Sequence, residues 1–204
     1  MTIRSVLLVA VLVALAVSGI RPHDTFTWLL EVAPILIGVP ILLATRRRFP
    51  LTPLLSVLLA VHALILMVGG HYTYAEVPLG FWARDALGLA RNHYDRLGHF
   101  AQGFVPAVLA REILSRRSPL RSSRWLPFLV VCVCLAFSAL YELIEWWTAL
   151  ATGEAATAFL GTQGDPWDTQ WDMFLALLGA LSALLLLSRA HDGQIARVEA
   201  VGAA

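Results

Sequence analysis

Six long apolar runs divide this chain, at about residues 5–20, 27–44, 52–70, 95–115, 125–150 and 170–188. A helix needs roughly 20 mostly apolar residues to cross the hydrocarbon core of a bilayer. Inside lipid the backbone must satisfy its own hydrogen bonds, so runs of this length predict α-helices. The expected fold is all-α: a polytopic membrane helical bundle of about six transmembrane helices, forming a single integral membrane domain over residues 1–204. Composition agrees with that reading. The chain is 58% hydrophobic and 14% charged, with mean hydropathy +0.72, whereas a soluble domain carries about 25% charged residues. The lipid bilayer is therefore the expected partner. A net charge of +1 argues against nucleic acid, which calls for a basic face.

The first run is short. Arg4 precedes it and the small residues Ala16 and Ser18 lie near its end, so it reads either as a retained span or as a signal peptide. The remaining topology is the same in both cases.

Orientation follows from the arginines, since the chain has no lysine. With a cytoplasmic N-terminus, the inner segments hold Arg4, Arg46, Arg47, Arg48, Arg111, Arg116, Arg117, Arg121, Arg124, Arg189 and Arg197, and the outer ones only Arg21, Arg84, Arg91 and Arg96. Positive charge stays inside, so both termini are expected in the cytoplasm.

That topology gathers the polar residues. The stretches 71–99, 141–147 ("YELIEWW") and 161–173 ("GTQGDPWDTQWDM") all come to the outer face. Asp95 and His99 are four apart, with Gln102 near the same stripe; Glu142 and Glu145 are three apart; Asp168 and Asp172 are four apart. Residues three or four apart share a helix face. A carboxylate turned to hydrocarbon costs at least ~2.5 kcal/mol, so these groups are expected to face the bundle interior. Glu31, near the outer start of the second run, is a further candidate, and His62 is expected to be hydrogen-bonded within the bundle.

Simpler roles compete. Asp95, Asp168 or Asp172 can serve as first-turn or N-cap acids, and Asp168 alone is best read so. Asp95 with Arg96 can form a local ion pair. Trp146, Trp147, Trp167 and Trp171 are expected in an interfacial belt, and Tyr72, Tyr74, Phe81 and Trp82 flat at the interface. Cys132 and Cys134 lie two apart and point to different sides of a helix, which favours two small hydrophobes over a disulfide or metal site. Capping does not explain two glutamates inside a span.

The blocks "GGHYTYAEVPLG", "NHYDRLGHFAQGFVPA", "YELIEWW" and "TQGDPWDTQWDM" resemble the signature blocks of the YjdF family of bacterial inner-membrane proteins, a family of unknown function. The similarity spans about residues 25–190 and implies a multi-pass plasma-membrane protein with a cytoplasmic C-terminus. A fainter similarity is to VanZ-like membrane proteins, which show Asp-x-x-x-His opening a span, a Glu in a later span and an Asp before a Gly-containing final span. Asp95 and His99, Glu142 or Glu145, and Asp172 with Gly179 follow that order; Leu175 departs from it, standing where the VanZ-like pattern has a polar amide. That similarity implies envelope biology, such as the glycopeptide resistance of some VanZ-like proteins.

Carboxylates and imidazole converging from separate helices suit a divalent metal cation. Asp95, His99, Glu142 and Glu145 are the expected metal ligands, and these four with Asp172 the expected catalytic set. A bound cation would activate water or polarise a phosphoryl or acyl oxygen. Its place at the outer leaflet points to a lipid-linked or envelope substrate. Without a metal, His99 beside an acid can act as a general base. No Gly-rich phosphate loop, Ser-centred elbow or HExxH motif is present. Two other classes use the same residues: an ion- or proton-coupled transporter, and a noncatalytic envelope protein whose outer loop 71–92 binds a partner. The apolar inner halves of the runs weigh against a conducting path.

Overall fold

The computed structural model describes residues 3–153 and 157–202. The described residues are helical throughout, joined by turns, with no strand among them. In order the helices are α1 (Ile3–Ser18), α2 (Thr25–Thr45), α3 (Pro53–Tyr72), a 3-10 turn (Tyr74–Glu76), α4 (Pro78–Leu87), α5 (Tyr94–Arg117), α6 (Trp125–Thr152), α7 (Thr157–Leu160) and α8 (Asp168–Gly202). Four of them, α2, α3, α6 and α8, are long and apolar enough to cross a membrane. Their outward faces are apolar as well: Leu185 is 84% exposed, Ile37 62% and Phe137 60%. Faces of that size are covered by lipid or protein in a native chain.

Each apolar run corresponds to one long helix, with the ends set by local chemistry. Asp24 caps α2 by accepting from Thr27 N at 2.6 Å. Thr52 caps α3, whose first residue is Pro53, a position where the missing N–H is not needed. Two elements depart from the expected runs. The connection after α3 is not a loop but a 3-10 turn followed by α4, which begins at Pro78 and stops at Gly88 in the left-handed region, φ +64°. The last helix continues well past residue 188. Its 35 residues span about 52 Å at 1.5 Å per residue, against a hydrocarbon core of about 30 Å. No proline or cap interrupts "RAHDGQIARVEA", and Arg111–Asp192 and Arg121–Glu199 ion pairs hold the extension to the rest of the chain.

Helix α5 is the centre of the bundle. It packs most extensively on α8 and also against α3 and α6. Close packing is possible because Gly103 faces the backbone of Ala176, and Gly179 faces the backbone of Phe100 and Phe104. Leu55, Ala107, Val130, Cys134 and Ala180 form the core around this seam. A second apolar cluster, Val11, Val32, Ile35, Ala63 and Met67, joins α1, α2 and α3. Cys132 is exposed while Cys134 is buried, and both are free thiols.

At the end of the bundle where α3 begins and α8 runs out, Glu112 is fully buried. It accepts from Thr52 N (3.0 Å), Thr52 Oγ1 (2.7 Å) and Arg116 (2.6 Å). His191 of α8 approaches it through Nε2 at 2.9 Å. Arg111 reaches Asp192 at 2.8 Å. This network ties α3, α5 and α8 together. It also places buried charge, Arg111 and Glu112, at one end of a bundle whose runs there are otherwise nearly pure Leu, Val and Ala.

Candidate functional site

The opposite end of the bundle is where α5 starts, α6 finishes and α8 starts. Three devices fix the start of α5. Asn92, 1% exposed, donates through Nδ2 to the carbonyls of Ala75 and Val77 at 3.0 Å each, and its Oδ1 accepts from Tyr94 N at 3.0 Å. Gln163 donates to Asn92 O at 2.8 Å, tying in the loop before α8. Arg91 donates to Thr162 O and to Asp168, both at 2.6 Å, and Arg96 to Asp165 at 3.0 Å. Partial burial, with the guanidinium groups of Arg96 and Arg91, holds the His93 imidazole below its ordinary value.

Thr73 also contributes. It takes φ +61°, ψ 140°, a conformation a β-branched residue rarely adopts. The turn it makes brings Tyr74 inward against Gly69 and Gly98, where the ring occupies the space a Cβ would need. Tyr74 is therefore buried rather than flat at the interface, because two glycines leave it a slot. Tyr72 and Trp82 remain exposed.

His99 stands at the middle of the cluster. On one edge of its ring, Nε2 lies 3.4 Å from Asp95 Oδ1 and 3.8 Å from Asp172 Oδ2. On the other edge, Nδ1 is 3.0 Å from Gln102 Oε1 and 3.9 Å from Glu142 Oε1. Two triads result, Asp95–His99–Asp172 and His99–Glu142–Glu145, each with one candidate donor atom per residue within 4.8 Å of the others. Donors 2.0–2.6 Å from a shared cation sit at most about 5 Å apart. Asp95, His99, Glu142 and Asp172 are buried, and Glu145 is partly so. Glu31, 4% exposed, joins them from α2 and accepts from Tyr141 Oη at 3.2 Å. All five residues expected from the sequence thus come together, with Glu31 added.

The competing local roles divide. Asp95 is in the first turn of α5, yet its Oδ1 faces His99 and its Oδ2 is buried with no hydrogen-bond partner. Arg96 turns away from Asp95 to Asp165 and stacks over Trp171, 5.0 Å from the ring centre. Asp168 opens α8 but its carboxylate is held by Arg91; Asp165, not Asp168, accepts the local backbone N–H, from Trp167 at 3.0 Å. Trp146, Trp147 and Trp167 are exposed at this end. His62 lies outside the cluster, and its Nε2 is buried without a hydrogen-bond partner. Asn92 and Arg91 are structural keys that spacing alone does not reveal, because their partners lie up to 77 residues away.

Residues 3–193 match a family described as "Predicted membrane protein (DUF2238)". The chain belongs to this family. It is also 61% identical over 180 residues to "Inner membrane protein YjdF" of Escherichia coli (strain K12), covering 88% of this chain and 86% of that protein. No solved structure matches it significantly.

Proposed function

We propose that this is a six-span bacterial inner-membrane protein, with both termini cytoplasmic, whose outer-face cluster binds a divalent cation and uses it on a lipid-linked or envelope substrate. The membrane assignment draws on the four apolar helices and on the similarity to an inner membrane protein. Helices α1 and α5 complete the count: α1 is apolar but short, with 16 residues, and α5 is long but carries polar ends that the other helices cover. The arginine asymmetry supplies the orientation. A C-terminal fluorescent reporter should glow and a C-terminal alkaline phosphatase fusion should stay silent; the reverse pattern would invert the topology.

One observation carries the metal reading. Four acids, Asp95, Asp172, Glu142 and Glu145, surround a single imidazole, while the nearby Arg91 and Arg96 are committed to Asp168 and Asp165. Asp95 Oδ2, Glu142 Oε1 and Asp172 Oδ1 are buried without hydrogen-bond partners. Buried carboxylates without partners are costly, and a cation relieves that cost. The imidazole points the same way. In the neutral tautomer with Nδ1 donating to Gln102 Oε1, Nε2 would keep its lone pair and face two carboxylates. A lone pair beside carboxylates needs a proton or a metal between them. An outer hydrogen bond on the far ring nitrogen is the usual way a ligating histidine is oriented.

The cation would supply Lewis acidity or an activated water. The chain's own groups would then divide the work. Asp95, His99 and Asp172 would form the holding set, and Glu142, on the other edge of the ring, with Glu145 beside it, would accept a proton from an incoming nucleophile. A conducting path is not favoured. From Gly103 to Ala110, α5 is apolar and its seam with α8 is closed by backbone contact.

Mn²⁺ titrated into the purified full-length chain and followed by electron paramagnetic resonance tests this. One ion per chain is expected, lost in His99→Ala and Asp95→Asn and kept in Asp168→Asn, whose carboxylate belongs to Arg91. Binding that is absent, or equal in all variants, removes the metal.

A further inference from the structure

A cavity lies away from the acidic cluster, between α1, α2 and α3 and reaching Pro106 of α5. Its volume is about 590 Å³, within the range of about 300–1,000 Å³ typical of small-molecule sites. The walls are mostly apolar, with Leu8, Ile35, Val39, Leu59 and Leu66 among them; His62 and Ser56 of α3 also line it, and Arg4, Arg46 and Arg47 stand at the end where α1 begins and α2 finishes.

Two features suggest that the space is kept for something. Gly38 lines the cavity in the middle of α2, and a Cβ built there meets nothing within 4 Å. A helical glycine costs about 1 kcal/mol relative to alanine. At Gly103 and Gly179 a facing backbone explains the glycine; at Gly38, as at Gly193, no described residue does, but at Gly38 the room opens into the cavity. The second feature is charge. None of Arg4, Arg46 and Arg47 forms an ion pair with a carboxylate among the described residues. The turn that carries two of them is pinned from behind: Arg117 donates to Arg48 O at 2.9 Å, and the Arg116 guanidinium lies 3.9 Å from the centre of the Phe49 ring. The turn is thus held while the Arg46 and Arg47 side chains remain exposed.

We propose that this cavity is a binding site for an anionic phospholipid, with an acyl chain lying along the apolar wall beside Gly38 and the phosphate at Arg4, Arg46 and Arg47. Basic residues at the end of an apolar cleft between membrane helices match the two halves of such a lipid. The proposal is independent of the acidic cluster and does not require its metal.

Native mass spectrometry of the detergent-purified full-length chain tests it, after incubation with phosphatidylglycerol or with phosphatidylcholine of the same acyl chains. The wild-type chain should retain phosphatidylglycerol in preference. Arg46→Gln with Arg47→Gln should lower that retention by on the order of tenfold, bringing it to the phosphatidylcholine level. Gly38→Phe, which fills the space, should reduce retention of both lipids; Gly38→Leu serves if the larger residue disturbs folding, as judged by melting temperature. Equal retention of the two lipids by the wild-type chain would overturn the charged half of the site. Phosphatidylglycerol retention unchanged by either Gly38 variant would place the lipid on the outer perimeter. A dimer mass that vanishes in the Gly38 variants would make a second copy the occupant. Each of these three results defeats the proposal.

Discussion

Gly103→Leu is expected to abolish accumulation of the folded protein in the membrane, and Gly179→Leu to do the same. Asp95, His99, Gly103 and Ala107 repeat every four residues along α5, and Asp168, Asp172, Ala176 and Ala180 do so along α8. A side chain at Gly103 meets the carbonyl of Ala176, and one at Gly179 meets the carbonyl of Phe100 and the amide of Phe104. Overpacking against side chains typically costs about 1–3 kcal/mol because rotamers yield. Here the opposing atoms are backbone, so the helices themselves must part. That separation would open the core and pull Asp172 away from His99, whose closest atoms are 3.8 Å apart. Gly193→Ala is the control. Nothing lies within 4 Å of a Cβ at that position, so alanine should be neutral or add up to about 1 kcal/mol of helix stability. Size-exclusion profiles of tagged full-length chains in detergent read the outcome. A monodisperse Gly103→Leu with the wild-type melting temperature would mean that α5 and α8 do not meet at this seam.

The same repeat explains how far the sequence could be read. Hydropathy marks the long helices because lipid imposes one requirement on every span, and it does so locally. The four-residue spacing of Asp95 and His99 and the three-residue spacing of Glu142 and Glu145 are also local, and they bring those pairs to one face whatever the tertiary packing. What escaped depends on partners distant in sequence. Glu112 reads as one charge in an arginine-rich helix end until Thr52 and His191 close on it. Asp168 reads as a cap until Arg91 takes its carboxylate. Tyr74 reads as an interfacial aromatic until Gly69 and Gly98 make a slot for it. The length of α8 was hidden for another reason: hydropathy reports where a helix leaves lipid, not where it ends. The two clusters on α5 also differ in kind. Around Glu112 both carboxylate oxygens are satisfied by donors. Around His99 several oxygens are not, which sets that cluster apart from the clamp and supports the proposed site.

That difference has a thermodynamic sign. The wild-type chain should melt about 5–10 °C lower in chelator than with a divalent cation at about 100 times its dissociation constant. Binding to the folded state alone contributes about 2.7 kcal/mol at that ratio, and a chain of this size shifts by roughly 2–4 °C per kcal/mol. Asp95→Asn combined with Asp172→Asn should reverse the order. Without cation, the wild-type site holds carboxylates that repel one another in a medium of low dielectric, where like charges are poorly screened. The two amides remove that repulsion and keep the shape, so in chelator the variant should melt above the wild type. With cation present it should melt below, because it has lost the ligands that capture the binding energy. A crossing of the two chains between the two conditions is the signature of a site built for an ion at the expense of the empty fold. A structural network predicts no crossing: the variant would melt lower in both conditions, and chelator would leave the wild type unchanged. That result would leave the four acids around His99 as a clamp like the one around Glu112, and the metal-dependent reading would fall.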